Sequence, residues 1–115
     1  MNRALRSVTH AERLGGILVI NKPRGPTSHD LVQLIRRKLQ TRRIGHTGTL
    51  DPMASGVLVM LVGGATKHQQ EFQGYPKVYE AVIQLGIKTD TADAWGRPLH
   101  TAPVPSVTST QVEVV

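Results

Sequence analysis

A chain of 115 residues has room for one small domain, which buries only about two thirds of its unfolded surface, and its 39% hydrophobic and 19% charged residues exclude wholesale disorder. Cysteine is absent, which excludes a disulfide framework, a thiolate metal site and a thiol nucleophile, and no apolar run approaches the ~20 residues of a membrane span. The net charge of +6 is lopsided: ten Lys/Arg face only Glu12 and Asp30 in residues 1 to 50, against four Lys/Arg and six acids in the rest, an asymmetry that suits either a polyanionic partner or a merely solubilising face.

In chain order, residues 1 to 14 mix charge with small side chains without a period and predict a flexible basic leader, with no h-region of a secretory signal. Gly16-Ile17-Leu18-Val19-Ile20 predicts a short buried strand, stopped by Pro23 and Pro26. Thr27 with Asp30 three residues on reads as a capping box, and Leu31, Val32, Leu34, Ile35 and Leu39 give the following helix one apolar face, with Arg36, Arg37 and Lys38 at its negative pole. Gly45 to Gly56 is too rich in Gly, Thr and Pro for a regular element and too poor in charge for a floppy linker, so it reads as a structured loop. Val57 to Val62 predicts a second buried strand, Ala65 to Phe72 a short helix, and Tyr75-Pro76 a turn. From Lys77 to Leu85 the alternation of Tyr79, Ala81, Ile83 and Leu85 with Val78, Glu80, Val82 and Gln84 predicts a half-buried strand. Lys88 to Gly96 is polar and turn-rich, and 101 to 115 reads as a connector or a truncated end. The order strand, helix, loop, strand, helix, strand defines an α/β fold with a mixed sheet, of α+β character. Residues 15 to 100 form its body, and three strands make a sheet thin enough to look partial.

Gly63-Gly64-Ala65-Thr66-Lys67 lacks the spacing of a phosphate loop, and His10, His29, His46, His68 and His100 show no helical ligand pair. Neither a nucleotide cofactor nor a metal is expected. Asp51 stands alone as a carboxylate between Leu50 and Pro52 in an otherwise acid-free loop. Its residues alone fit two readings, an Asx turn ahead of Pro52 or a carboxylate held at a cleft.

Two segments carry a family resemblance. Residues 16 to 30, Gly-Ile-Leu-Val-Ile-Asn-Lys-Pro-Arg-Gly-Pro-Thr-Ser-His-Asp, and residues 45 to 56, Gly-His-Thr-Gly-Thr-Leu-Asp-Pro-Met-Ala-Ser-Gly, resemble the two opening motifs of the TruB family of pseudouridine synthases, the second being highly specific. Gly64-Ala65-Thr66-Lys67, Tyr79 and the stretch Leu85 to Gly96 continue the pattern in order, so the resemblance spans residues 15 to about 105. Asn21 stands where many relatives carry aspartate, a change of little consequence in shape. The family's catalytic domain is longer than this chain. Its later part supplies a basic partner for the aspartate, and an RNA-binding domain follows.

The resemblance implies a partial pseudouridine synthase catalytic fold and an isomerase acting without cofactor on the uridine of the T-loop of tRNA (position 55). It implies Asp51 as the catalytic carboxylate, His46 filling the space of the flipped nucleotide, and Tyr79 stacked on the uracil. Lys22 and Lys67 belong with substrate binding through phosphate contact, each with a structural role supporting the active-site loop as an equal alternative. Arg36, Arg37, Lys38, Arg42 and Arg43 form either a patch for RNA backbone phosphates or a solvated helix end. The expected partner is the T-arm stem-loop of tRNA, with no membrane and no oligomer, in the cytoplasm. Two other readings carry the same motifs: a non-catalytic RNA-binding or tRNA-folding module, and a relative of the RNA-guided archaeal and eukaryotic branch.

Overall fold

The computed structural model describes residues 13 and 15 to 113; all but one residue of the expected leader lies outside them. The chain divides into two units, Met1–Lys77 and Val78–Val115.

The first unit is a three-stranded antiparallel sheet with a helix across one face. Strand β1 (Gly16–Lys22) and strand β2 (Ile44–His46) flank the central strand β3 (Gly56–Val62). The register sets Leu18 opposite Met60, Ile20 opposite Leu58, Ile44 opposite Val62 and His46 opposite Met60. Directly opposed residues share a sheet face, so Leu18, Ile20, Ile44, Leu58, Met60 and Val62 form one apolar surface. Helix α1 (Ser28–Leu39) closes it with Leu31, Val32 and Ile35, and Leu50 joins the cluster from the loop.

Strand β3 is paired on both sides and is nearly continuous in apolar residues, with Leu58, Met60 and Leu61 essentially inaccessible. Edge strand β1 differs from the buried strand that its composition predicts: it alternates, with Ile17 56% and Val19 63% exposed. A β-branched run reports extended backbone but not the number of covered faces, and here the helix covers one. Strand β2 lies at the start of the predicted loop; three residues are too few to show a period.

Helix α1 starts as expected. Thr27 Oγ1 accepts from the Asp30 amide at 3.0 Å, and the Asp30 carboxylate accepts from the Thr27 amide at 2.8 Å, completing the capping box. That second bond holds the Asp30 carboxyl below its ordinary pKa. A depressed pKa stabilises the folded state above the unfolded-state value, and the contribution is lost as pH falls through the folded one. Acidifying from about pH 4 is therefore expected to fray the first turn of α1, visible as loss of the Asp30 amide's protection in NMR exchange. Thr27→Ala, which removes the other half of the box, is expected to cost about 1 kcal/mol in urea unfolding. At the far end Gln40 takes a left-handed conformation (φ 52°) and the Thr41 amide donates to Arg36 O, which reverses the chain.

After β3 the chain forms a 3-10 turn (Gly63–His68) leading into helix α2 (Gln69–Gln73), a split version of the single short helix expected over 65 to 72.

In the second unit the predicted strand over 77 to 85 is absent. Residues 78 to 85 have no regular structure and are exposed or nearly so, Val82 to 99%. Alternation prepares a face, but a strand also needs a neighbour for its amides and carbonyls, and no described segment pairs with this one. The order instead lies further on, where strand β4 (Ile87–Thr89) pairs antiparallel with strand β5 (Pro98–Thr101). Asp93 organises the intervening turn, its carboxylate accepting from Thr91 Oγ1 and the amides of Trp95 and Gly96, while Asp90 accepts from the Arg97 amide. The expected connector holds a short helix α3 (Ser109–Glu113), capped by Thr108, whose hydroxyl accepts from the Gln111 amide. No helix among the described residues is long and apolar enough to cross a membrane.

Candidate active-site loop

The loop from Thr47 to Ser55 joins β2 to β3, and its geometry follows from where its backbone polar groups go. The Thr47 amide donates to Val59 O at 2.9 Å, extending the ladder by one residue before the loop departs. Leu50, one residue before Asp51, is gripped twice by Ser28: its amide donates to Ser28 Oγ at 2.9 Å, and that hydroxyl donates back to Leu50 O at 3.0 Å. On the other side Pro52 O accepts from the Gly25 amide at 2.8 Å. A turn within the loop closes through the Ala54 amide on Asp51 O at 2.9 Å.

Lys22 completes the clamp. It is wholly buried, and its ammonium donates to Ala54 O at 2.7 Å, Pro23 O at 3.0 Å and Pro52 O at 3.3 Å. An ammonium has three protons to give, and all three are used here. Lys22 in this structure is thus bonded to main chain, two of its three carbonyls lying in the loop. Strand β1 and the Pro-rich turn after it thus exist, locally, to present three donors to one loop: Lys22 Nζ, the Gly25 amide at φ 117°, and Ser28 Oγ at the first turn of α1.

The result is an aspartate fixed through its neighbours. The main chain is pinned at Leu50, Pro52 and Ala54, while the Asp51 side chain is exposed and has no hydrogen-bond or ion-pair partner among the described residues. An Asx turn would spend the carboxylate on a local amide; here the turn is closed by the carbonyl of Asp51 instead. The charge is held in place and left available.

His46 closes β2, half-buried, on the sheet face covered by α1; its Nδ1 is buried without a partner among the described residues, and its carbonyl accepts from Gln69 Nε2 at 2.9 Å. Lys67 is exposed on the 3-10 turn. Tyr79, 65% exposed, belongs to the second unit. Arg37, Lys38, Arg42 and Arg43 are exposed around the end of α1, and Arg36 is half-buried with Nη2 donating to Ile44 O at 3.1 Å. Among the described residues no group of His, Asp and Glu could hold a metal ion.

Several participants have no signature in the sequence. Ser28 sits inside a capping motif and reads as part of a helix start; its second task has no periodic pattern. Lys77 is another: its stem lies where a side chain on Gly48 would go, a built Cβ there falling 2.9 Å from Cε, and its ammonium donates to Gln73 O and Tyr75 O. Loss of the Ser28 hydroxyl leaves Leu50 with an unpaired amide and carbonyl, so Ser28→Ala is expected to destabilise the first unit by about 1–3 kcal/mol in chemical denaturation, with amide exchange faster at Leu50 than elsewhere in the loop.

A clamped, uncommitted carboxylate thus lies between a short edge strand and the central strand, and comparison with known proteins gives the class of the chain. Residues 36 to 115 match the TruB family pseudouridylate synthase (N terminal domain). The chain belongs to that family. It is 48% identical over 101 residues to tRNA pseudouridine synthase B of Opitutus terrae, covering 88% of this chain and 42% of that protein. The same-named protein of Aromatoleum aromaticum is 48% identical over 103 residues, 89% of this chain and 33% of its own length, and that of Aquifex aeolicus 46% over 88 residues, 76% and 31%. The chain thus spans roughly a third to two fifths of the length of these relatives.

Proposed function

We propose that this chain carries the catalytic loop of a tRNA pseudouridine synthase, which isomerises the uridine of the T-loop in the T-arm of tRNA. The observation that carries the reading is the exposed Asp51 carboxylate on a backbone pinned from three sides. The reaction breaks the N1–C1′ bond, turns the uracil and joins C5 to C1′; the proton lost from C5 is balanced by one gained at N1, and no outside group is consumed. An ionised carboxylate serves it either by attacking an electron-poor carbon or by stabilising an oxocarbenium-like sugar.

The target base must leave its stack, at a cost of a few kcal/mol. His46 occupies the vacated space and Tyr79 stacks on the uracil, typically worth about 1–3 kcal/mol per base. Lys67 and the arginine-rich end of α1 meet the RNA backbone. The chain works as a monomer in the cytoplasm.

The chain by itself has little or no turnover, because no cation among the described residues pairs with Asp51 to hold its charge in a closed pocket. The test is pseudouridine formation on a T-arm stem-loop by three proteins: this chain, a version extended to the length of its relatives, and the extended version with Asp51→Asn. Turnover in the extended version alone, abolished by the substitution, is the expected result. Turnover that survives Asp51→Asn overturns the assignment.

A further inference from the structure

Resting on the RNA reading above, the geometry points to a discrete phosphate site within the basic patch: a pocket at the C-terminal end of α1 in which Arg36, Arg37 and Arg42 together hold one phosphate group. The pocket is open-sided, about 610 Å³ in volume, and lined by Gln33, Arg36, Arg37, Gln40, Thr41 and Arg42. It exists because the chain reverses there. Gln40 in the left-handed region and the Thr41 amide on Arg36 O turn the backbone through the end of the helix, so that Arg42 comes back to the wall formed by Arg36 and Arg37. Lys38 and Arg43, equally charged and equally near in sequence, do not line it.

Charge and donor geometry both favour an oxyanion. No acidic residue lines the pocket; the helix end contributes roughly half a negative charge, and three guanidiniums outweigh it. Arg36 is held in place by Nη2 on Ile44 O, and its Nε is buried without a partner among the described residues. Planar guanidinium forks match the oxygens of a phosphate, and the amides of Gln33 and Gln40 add neutral donors. The source of the phosphate is either an RNA phosphodiester or free inorganic phosphate, and the two are separable.

In the first arm, amide shifts of the full chain are followed by NMR as inorganic phosphate replaces chloride at constant ionic strength. Shifts concentrated at residues 36 to 42 and abolished in Arg37→Gln/Arg42→Gln are expected. Absent shifts, or shifts spread over all basic segments, overturn the pocket. In the second arm, a T-arm stem-loop RNA is titrated against that double variant and against Lys38→Gln/Arg43→Gln, which removes the same charge outside the pocket. A loss of at least tenfold in affinity for the pocket variant, with a salt slope shallower by about one to two, and a clearly smaller loss for the control, assign the site to RNA. Equal losses overturn it as a discrete RNA site in favour of diffuse charge. Phosphate binding without RNA binding by the unsubstituted chain keeps the pocket as a free-phosphate site and sinks the RNA reading instead.

Discussion

Lys22→Ala is expected to unfold the first unit or leave it barely stable. The ammonium serves Pro23 O, Pro52 O and Ala54 O at once from a wholly buried position at the end of β1. Truncation takes the lysine donor from Pro23 O and Ala54 O, while Pro52 O keeps the Gly25 amide, and it opens a cavity the length of a lysine stem beside the core. Each unpaired buried carbonyl costs about 1–3 kcal/mol, against a total stability of about 5–15 kcal/mol for a whole domain. The measurement is urea unfolding followed by circular dichroism, with Lys22→Met as a second variant that refills most of the volume. If the carbonyl bonds are what matter, Lys22→Met recovers little. A midpoint for Lys22→Ala within experimental error of the unsubstituted chain would show that water replaces the ammonium at no cost.

The complementary result is expected at Asp51. In the extended version Asp51→Asn should lower pseudouridine formation by at least about a thousandfold, the scale on which loss of an essential catalytic group is read. In the present chain the same change should leave stability within about 0.5 kcal/mol, because the carboxylate is exposed and the loop is held by main-chain bonds on either side. RNA affinity should also persist. That combination, full loss of chemistry with binding and folding intact, separates a catalytic carboxylate from a binding module, which would keep its function.

Much of the first unit is legible in the amino-acid sequence. The capping box at Thr27 and Asp30 is a local motif with a fixed spacing, and it forms as read. Strand β3 shows itself as a run of apolar residues between glycines, with Leu58, Met60 and Leu61 buried although Val57 on the uncovered face is exposed. What the sequence does not reveal is of two kinds. Residues 78 to 85 carry the period of a strand, yet a period describes a face and says nothing of whether a neighbouring strand is present. Lys22, Ser28 and Lys77 act through main-chain carbonyls and close packing at sites distant in sequence, up to 32 residues away for Lys22 and Ala54. Sequence spacing encodes contacts three or four residues apart on a helix and two apart on a strand, and is silent on such pairs. The family resemblance implies that Asp51 is the catalytic carboxylate; only the fold shows how a loop so rich in glycine and threonine is kept still.

The donors that hold the loop all address its backbone. Lys22 meets carbonyls, the Gly25 amide meets a carbonyl, and Ser28 meets both polar groups of one residue. Main-chain atoms are the same whatever side chain they carry, so the position of Asp51 is decoupled from the identity of Thr49, Met53 and Ser55. The scaffold is in this sense a socket that accepts different inserts: the side chains beside the carboxylate can be exchanged to retune what the loop touches without moving the carboxylate itself.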